Sequence, residues 1–73
     1  MKLQNNLRVL RAMKEISQQT LADEVELSRQ TVNSIERGKF NPSVTSALKM
    51  AMYFGVPVEE IFQLKNEEDG KDD

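Results

Sequence analysis

The chain has 73 residues, which suits one small domain with an economical core. It contains no cysteine and no histidine, so disulfides, thiolate–metal sites and the commonest general base are excluded. The net charge of −2 is unevenly divided: residues 1–64 hold eight Lys or Arg against seven Asp or Glu, and residues 65–73 hold two against five. The body is therefore weakly charged, and bulk charge alone does not decide which partner it binds.

The first predicted helix follows a pair of asparagines near the start of the chain. Asn5 or Asn6 can serve as its N-cap, because a short polar side chain can accept a hydrogen bond from a free backbone N–H. Leu7, Leu10 and Met13 then recur at helical spacing. This segment is predicted to pack one apolar face on the core.

Two further helices are predicted in close succession. Ser17 and Ser28 are their expected N-caps, and Gly38 is placed to end the second of them as a C′ residue. Both helices are short and only a tight turn separates them, as in a helix-turn-helix over roughly residues 18–37. The positions expected to face inward are Leu21, Ala22, Val25, Leu27, Val32 and Ile35.

The outward face of the third helix carries polar side chains and no carboxylate, although 30% of the chain is charged. Arg can hold guanine O6 and N7, Gln can pair with adenine N6 and N7, and a Thr methyl can touch thymine. The first turn of such a helix is the end that enters the major groove of DNA. Taken alone, this face leaves both base reading and a plain solvated surface open. Its positions are Arg29, Gln30, Thr31, Asn33, Ser34 and Arg37.

A loop over residues 39–42 leads to a fourth and a fifth helix. Ser43 is the expected N-cap of the fourth, Gly55 its end, and Pro57 suits the first turn of the short fifth helix. The apolar stripe predicted for the fourth helix is Val44, Ala47, Leu48, Ala51 and Phe54, followed in the fifth by Val58, Ile61 and Phe62.

The two ends of the chain can pair with each other. Met1 and Leu3 alternate with polar residues, as do Phe62 and Leu64, so a short two-stranded pairing is allowed. Such a pair is marginal unless helices pack behind it.

One domain over residues 1–64 and a disordered acidic tail over residues 65–73 are expected, since the tail has no apolar residue. No apolar run approaches the roughly 18 residues of a membrane span. The N-terminal segment has no apolar core of a signal peptide. We expect a cytoplasmic protein that does not bind membranes.

Four motifs together resemble the Cro/cI-type helix-turn-helix family of phage repressors and xenobiotic-response-element-type regulators. They are ISQQTLA, LSRQTVNSIERGKFNPS, ALKMA and FGVPVEEIF, and they cover roughly residues 5–64 in the family's order and spacing. The resemblance is closest to short stand-alone members. It implies an all-α, five-helix, lambda-repressor-like fold and a homodimeric repressor that binds a palindromic operator in double-stranded DNA, without a cofactor.

The resemblance also implies roles for single residues. Gln18 matches a Gln that contacts phosphate and braces a side chain of the recognition helix, and Arg29 and Gln30 match the leading base-reading positions. Arg11 and Glu36 match a structural ion pair that ties the first helix to the third. The full set of DNA-binding positions implied is Gln18, Arg29, Gln30, Thr31, Asn33, Ser34, Lys39 and Asn41, with Phe40 in the same loop.

The chain departs from the family pattern at Glu26, where members usually have Gly in the turn between the two central helices. A backbone with positive φ would strain a Glu there, whereas Gly would avoid that strain. We expect this strain rather than a reshaped turn.

A dimer seam is expected from apolar side chains in excess of what one small core needs. The expected seam is Phe40, Met52, Tyr53, Val56, Pro57 and Phe62, and the alternative is that these side chains are simply partly exposed in a monomer.

Two other functions stay open on the sequence: the antitoxin of a toxin–antitoxin pair, and a protein-bridging module of the same fold. An enzyme is the least favoured class, since Ser17, Ser28 and Ser43 are accounted for as caps and no His or Cys could activate them. We therefore predict no catalytic residue and no metal ligand. No small-molecule ligand is evident either.

Overall fold

The computed structural model describes residues 1–66 and contains five helices and one two-stranded antiparallel sheet. The five predicted helices and the pairing of the two ends are confirmed. In chain order the elements are β1 (Lys2–Asn5), α1 (Leu7–Lys14), α2 (Gln18–Val25), α3 (Arg29–Glu36), α4 (Val44–Phe54), α5 (Val58–Ile61) and β2 (Phe62–Lys65).

Serine caps begin three of the helices, as predicted. The Oγ atoms of Ser17, Ser28 and Ser43 each accept a hydrogen bond from the backbone N–H three residues further on, at 3.0, 3.0 and 3.1 Å. Each cap satisfies a backbone donor that the helix leaves free, a contribution of about 1 kcal/mol. At the other end of α3, Gly38 has φ +75° and ends the helix as predicted.

The two asparagines before α1 lie at the start of that helix, and they also bond to the distant residues Ile35 and Ile61. Asn6 occupies the N-cap position, but the cap hydrogen bond comes from Asn5, whose Oδ1 accepts from the backbone N–H of Leu7 at 3.1 Å. Asn5 Nδ2 also donates to the carbonyl of Ile35 at 2.9 Å, and the Asn6 N–H donates to the carbonyl of Ile61 at 2.9 Å. Through these bonds β1 is joined to the end of α3 and to α5.

The sheet formed by the two ends is in simple antiparallel register. Its opposed residues are Lys2 and Lys65, Leu3 and Leu64, Gln4 and Gln63, and Asn5 and Phe62. Lys65, where the predicted tail began, is thus the last residue of β2. The rest of that tail, apart from Asn66, lies outside the described residues.

The core lies where α1, α2, α3, α4 and α5 meet. The predicted inner faces of α2 and α3 are confirmed, and Leu27 in the turn between them is partly buried. Ala22 is fully buried, and its small side chain lets α2 and α3 cross closely. The buried residues are Leu7, Leu21, Ala22, Val25, Val32, Ile35, Met50 and Ile61.

The stripe predicted for α4 is wrong in part. Val44 is 76% exposed and Leu48 is 49% exposed, whereas Met50, which was left out of the prediction, is completely buried. The reason is that α4 is apolar on nearly every side, so its sequence does not select one face. Met13 in α1, also expected on an inner face, is exposed.

Two glutamates end helices in the left-handed region of the backbone. Glu26 after α2 has φ +61°, as expected for the turn, and Glu15 after α1 has φ +58°. Lys49 Nζ on α4 lies 2.6 Å from Glu26 Oε1. The hydrogen bond and the positive charge of Lys49 lower the pKa of Glu26 below its ordinary value. The ion pair therefore favours the charged side chain at a strained backbone position.

No helix within residues 1–66 is long and apolar enough to cross a membrane. In the same part of the chain, no group of three or more His, Cys, Asp or Glu could hold a metal ion.

Candidate nucleic-acid interface

The predicted outward face of α3 reaches the surface, with Arg29, Gln30 and Arg37 exposed and Thr31, Asn33 and Ser34 half-buried. Arg29 and Gln30 are exposed at its N-terminal end, while Val32 and Ile35 on the opposite face are buried in the core. Because α3 begins at an exposed serine cap, its free N–H groups and the positive end of its dipole lie on the same side as Arg29. This end of the helix suits contact with a negatively charged partner.

The predicted site residues line three surface clefts. Each cleft shares at least two of its lining residues with a neighbouring cleft, so the three adjoin. One cleft is lined by Gln18, Arg29, Gln30 and Asn33. The second is lined by Gln30, Thr31, Asn33, Ser34, Lys39 and Phe40. The third is lined by Met1, Lys2, Leu3, Gly38, Lys39, Phe40 and Asn41. The eight predicted DNA-binding residues thus form one continuous surface, and no carboxylate from residues 1–66 lines any of these clefts.

A buried ion pair supports this surface from behind. Arg11 on α1 donates from Nε to Glu36 Oε2 at 2.5 Å and from Nη2 to Glu36 Oε1 at 3.0 Å. The Glu36 side chain is 1% exposed and that of Arg11 is 16% exposed. The hydrogen bond to Glu36 and the charge of Glu36 raise the pKa of Arg11 above its ordinary value, against the effect of burial. The predicted pairing of Arg11 with Glu36 is present and couples α1 to the end of α3.

Gln18 connects this ion pair to the outer face of α3. Its Nε2 atom donates to Glu36 Oε1 at 3.2 Å and to Asn33 Oδ1 at 3.1 Å. Gln18 is the first residue of α2 and Asn33 lies in the middle of α3, so these bonds hold the two helices at one relative position. The Gln18 side chain, which lies at the interface, is therefore oriented by the Glu36 carboxylate in the interior.

The structure adds Met1 and Lys2 to the surface around the loop after α3. Both border the cleft that contains Lys39 and Asn41, because β1 runs beside this loop. The alternating pattern at the start of the chain predicted the strand but gave no indication of which loop lies next to it. Lys2 is therefore a candidate phosphate contact that sequence reasoning missed.

The residues predicted for a dimer seam are distributed over two regions. Tyr53, Val56 and Phe62 are partly buried and pack against the core of their own chain. Met52 is 82% exposed, and Pro57 is also exposed. Phe40 lies elsewhere, in the clefts beside α3 described above.

Tyr53 also makes two contacts within its own chain. Its ring packs edge-on against Phe54 with centroids 5.2 Å apart, and Lys14 Nζ lies 5.2 Å from the centre of its ring. The Lys14 contact links the aromatic end of α4 to the last residue of α1.

Comparison with known proteins agrees with this geometry. The family described as Helix-turn-helix matches residues 7–61. An uncharacterized HTH-type transcriptional regulator of Methanocaldococcus jannaschii is 41% identical over 66 residues, which is 90% of this chain and 100% of that protein. A second one, YgzD of Bacillus subtilis, is 38% identical over 65 residues, 89% of this chain and 98% of that protein.

A solved structure has a similar fold over about three quarters of this chain. The crystal structure of the restriction-modification controller protein C.AhdI from Aeromonas hydrophila superposes with a TM-score of 0.69 at 41% sequence identity. The match covers 74% of this chain and 82% of that protein. The fold and the family are therefore shown by sequence and by structure.

Proposed function

This chain belongs to the Cro/cI-type helix-turn-helix family of DNA-binding transcriptional regulators, and from that premise we propose that it is a homodimeric repressor of a palindromic operator. The observation that carries the proposal is the continuous polar surface along α3, to which residues 1–66 contribute no carboxylate. The buried bonds of Arg11, Glu36 and Gln18 hold that surface rigidly. We also propose a cytoplasmic location, because a regulator meets DNA there in bacterial and archaeal cells, the source of its relatives.

The side chains of the surface divide into two classes of contact. Arg29 and Gln30 stand at the N-terminal end of α3, where a recognition helix reaches base edges, so they are proposed to read bases. Lys39 and Asn41 in the following loop, with Lys2 beside them, are proposed to hold phosphates. Thr31 and Ser34, further along the helix, complete the contacts in the groove.

A two-fold dimer is proposed because α4 has an exposed apolar surface in addition to the face that packs on the core. Val44, Leu48 and Met52 are exposed and spaced four residues apart, so they form one stripe along the helix. Exposed apolar stripes of this kind are typical of association surfaces. The proposed seam extends this stripe to Tyr53, Val56, Pro57 and Phe62, while Phe40 is better placed for the DNA-facing surface.

Repression is proposed as the output because the described part of the chain is taken up by the DNA-binding domain. Occupying a promoter requires only tight, specific binding, and two half-sites one helical turn apart would satisfy a two-fold dimer. The likeness to a restriction-modification controller favours a second candidate, control of a restriction-modification gene pair. Binding upstream of such a pair would distinguish the two.

The proposal is tested by gel shifts on fragments of the source genome, with two variants that separate the classes of contact. Arg29→Ala should abolish the preference for the specific fragment and leave weak general binding. Lys39→Ala should weaken binding to all fragments alike and reduce the salt slope by about one unit, as expected for a lost phosphate contact.

Two results would contradict the proposal. One is a specific fragment that Arg29→Ala binds with unchanged preference. The other is the absence of any preference at about 100 mM salt, where non-specific binding has already fallen steeply. Capture of a protein partner together with that second result would favour a bridging module.

A further inference from the structure

We infer that the buried Glu36 carboxylate sets the hydrogen-bonding polarity of two side-chain amides on the DNA-facing surface, so that Asn33 presents a donor to DNA and the Gln18 side chain presents only an acceptor. The inference rests on the proposed function, because it concerns the same surface. It specifies in addition whether the side-chain amides of Gln18 and Asn33 each contact a hydrogen-bond donor or an acceptor on DNA.

The polarity originates at Glu36. A carboxylate has acceptors and no donor. Its Oε1 atom already accepts from Arg11 Nη2 at 3.0 Å, and the group of Gln18 that faces the same oxygen lies 3.2 Å away. That group must donate, so it is Nε2 of the Gln18 amide. The reversed amide would place an oxygen against the carboxylate, with the Glu36 side chain only 1% exposed and little water to separate them.

Both hydrogens of Gln18 Nε2 are then committed. One goes to Glu36, and the other goes to Asn33 Oδ1 at 3.1 Å. The Gln18 side chain keeps only Oε1 for an outside partner. The oxygens of a phosphate diester are acceptors, so the Gln18 side chain cannot hydrogen-bond to phosphate while the network stands, in contrast to the phosphate contact that the family resemblance implies. Its Oε1 can meet only a donor, such as the exocyclic amino group of adenine or cytosine. Gln18 is therefore a positioning residue for Asn33.

Asn33 has the opposite polarity. Because its Oδ1 accepts from Gln18, its Nδ2 group with two hydrogens is directed away from that bond, and within residues 1–66 it donates to no other group. Asn33 lines the cleft shared with Arg29 and Gln30 and also the cleft shared with Lys39. Its partner on DNA is therefore an acceptor: a phosphate oxygen, purine N7, or the O6 or O4 of a base.

The first experiment uses the free, ¹⁵N-labelled full chain and needs no DNA. Hydrogen exchange of the side-chain amides is measured, with the exposed Gln30 as the internal control. Both Gln18 amide protons should exchange more slowly than those of Gln30, and the Asn33 protons should exchange as fast as those of Gln30. Protected Asn33 protons together with unprotected Gln18 protons would overturn the assigned polarity.

The second experiment identifies the acceptor on DNA. In separate series, single phosphates of the bound site are replaced by methylphosphonates, and single bases by analogues that lack one acceptor: 7-deazapurines for N7, 2-aminopurine for guanine O6, and 5-methyl-2-pyrimidinone for thymine O4. Wild-type protein should lose about 10-fold in affinity at one position that Asn33→Leu ignores. A methylphosphonate at that position identifies a phosphate partner, and a base analogue identifies a base. Gln18→Met should bind more weakly but keep the wild-type sensitivity at that position.

Two outcomes of this series would overturn the inference. In one, Asn33→Leu keeps the wild-type sensitivity at every position. In the other, Gln18→Met is the variant that becomes insensitive. If the wild-type chain binds no specific site, the proposed function fails, and the DNA part of the inference fails with it. The exchange pattern of the free protein still reports separately on the polarity.

Discussion

The Arg11–Glu36 pair gives the most specific stability prediction, because its two charges are buried to different degrees. Glu36 is 1% exposed, so Arg11→Met would leave a buried carboxylate with Gln18 as its remaining side-chain donor. An unpaired buried charge costs about 3–5 kcal/mol. The whole stability of a domain of this size is only about 4–11 kcal/mol, so this variant should lose a large part of its free energy of unfolding.

The opposite variant should be less harmful. Glu36→Leu leaves Arg11 16% exposed, with its Nη1 still donating to the carbonyl of Ile16 at 3.2 Å. A cost of about 1–3 kcal/mol is expected, as for a lost hydrogen-bond partner. The double variant Arg11→Met/Glu36→Leu should recover to within about 1–2 kcal/mol of wild type, since apolar residues often replace a buried pair without loss. It should nevertheless bind the operator weakly, because Gln18 loses the partner that orients it.

Urea unfolding of the four proteins at constant m-value measures these differences. The reasoning requires Arg11→Met to be the more damaging single change and the two single effects to exceed that of the double variant by at least about 2 kcal/mol. Additive single effects, or a larger cost for Glu36→Leu, would refute it.

Three further predictions follow from other parts of the molecule. Glu15→Gly should raise the free energy of unfolding by about 0.5–1 kcal/mol in thermal melts, because relief of left-handed strain exceeds the added chain entropy. Lys49 lowers the pKa of Glu26, so their ion pair stabilises the fold above the ordinary pKa of 4.5. That contribution is lost as the pH falls through the lowered value. Lys49→Met should therefore remove this part of the acid dependence of urea unfolding. Met52→Glu should dissociate the proposed dimer in sedimentation experiments. The control Val9→Glu makes the same apolar-to-charged change at an exposed site on α1 and should leave the dimer intact.

Local chemistry made α2 and α3 predictable from the sequence. Ser17 and Ser28 are N-caps, Gly38 supplies the positive φ at which α3 ends, and the apolar positions between them follow one helical face. Each of these signals acts within a few residues, so the sequence contains them directly. The polar outer face of α3 was predictable for the same reason.

Other features depend on contacts between distant segments. Because α4 is apolar on nearly every side, its packing against the other helices, and not its own sequence, placed Met50 rather than Leu48 in the core. The bond between Gln18 and Asn33 joins positions 15 residues apart, and its direction follows from the buried Glu36 carboxylate. The place of Lys2 beside the loop after α3 follows from the pairing of the two ends of the chain. None of these has a local signature.

The most direct test of the central claim is an unbiased selection of bound sites from random double-stranded DNA by the purified full chain. The account predicts one enriched motif with two-fold symmetry and half-site centres about 10 base pairs apart. The same selection with Arg29→Ala should lose the preference at one position in each half-site. An absence of enrichment at about 100 mM salt, or a motif that Arg29→Ala leaves unchanged, would contradict the account.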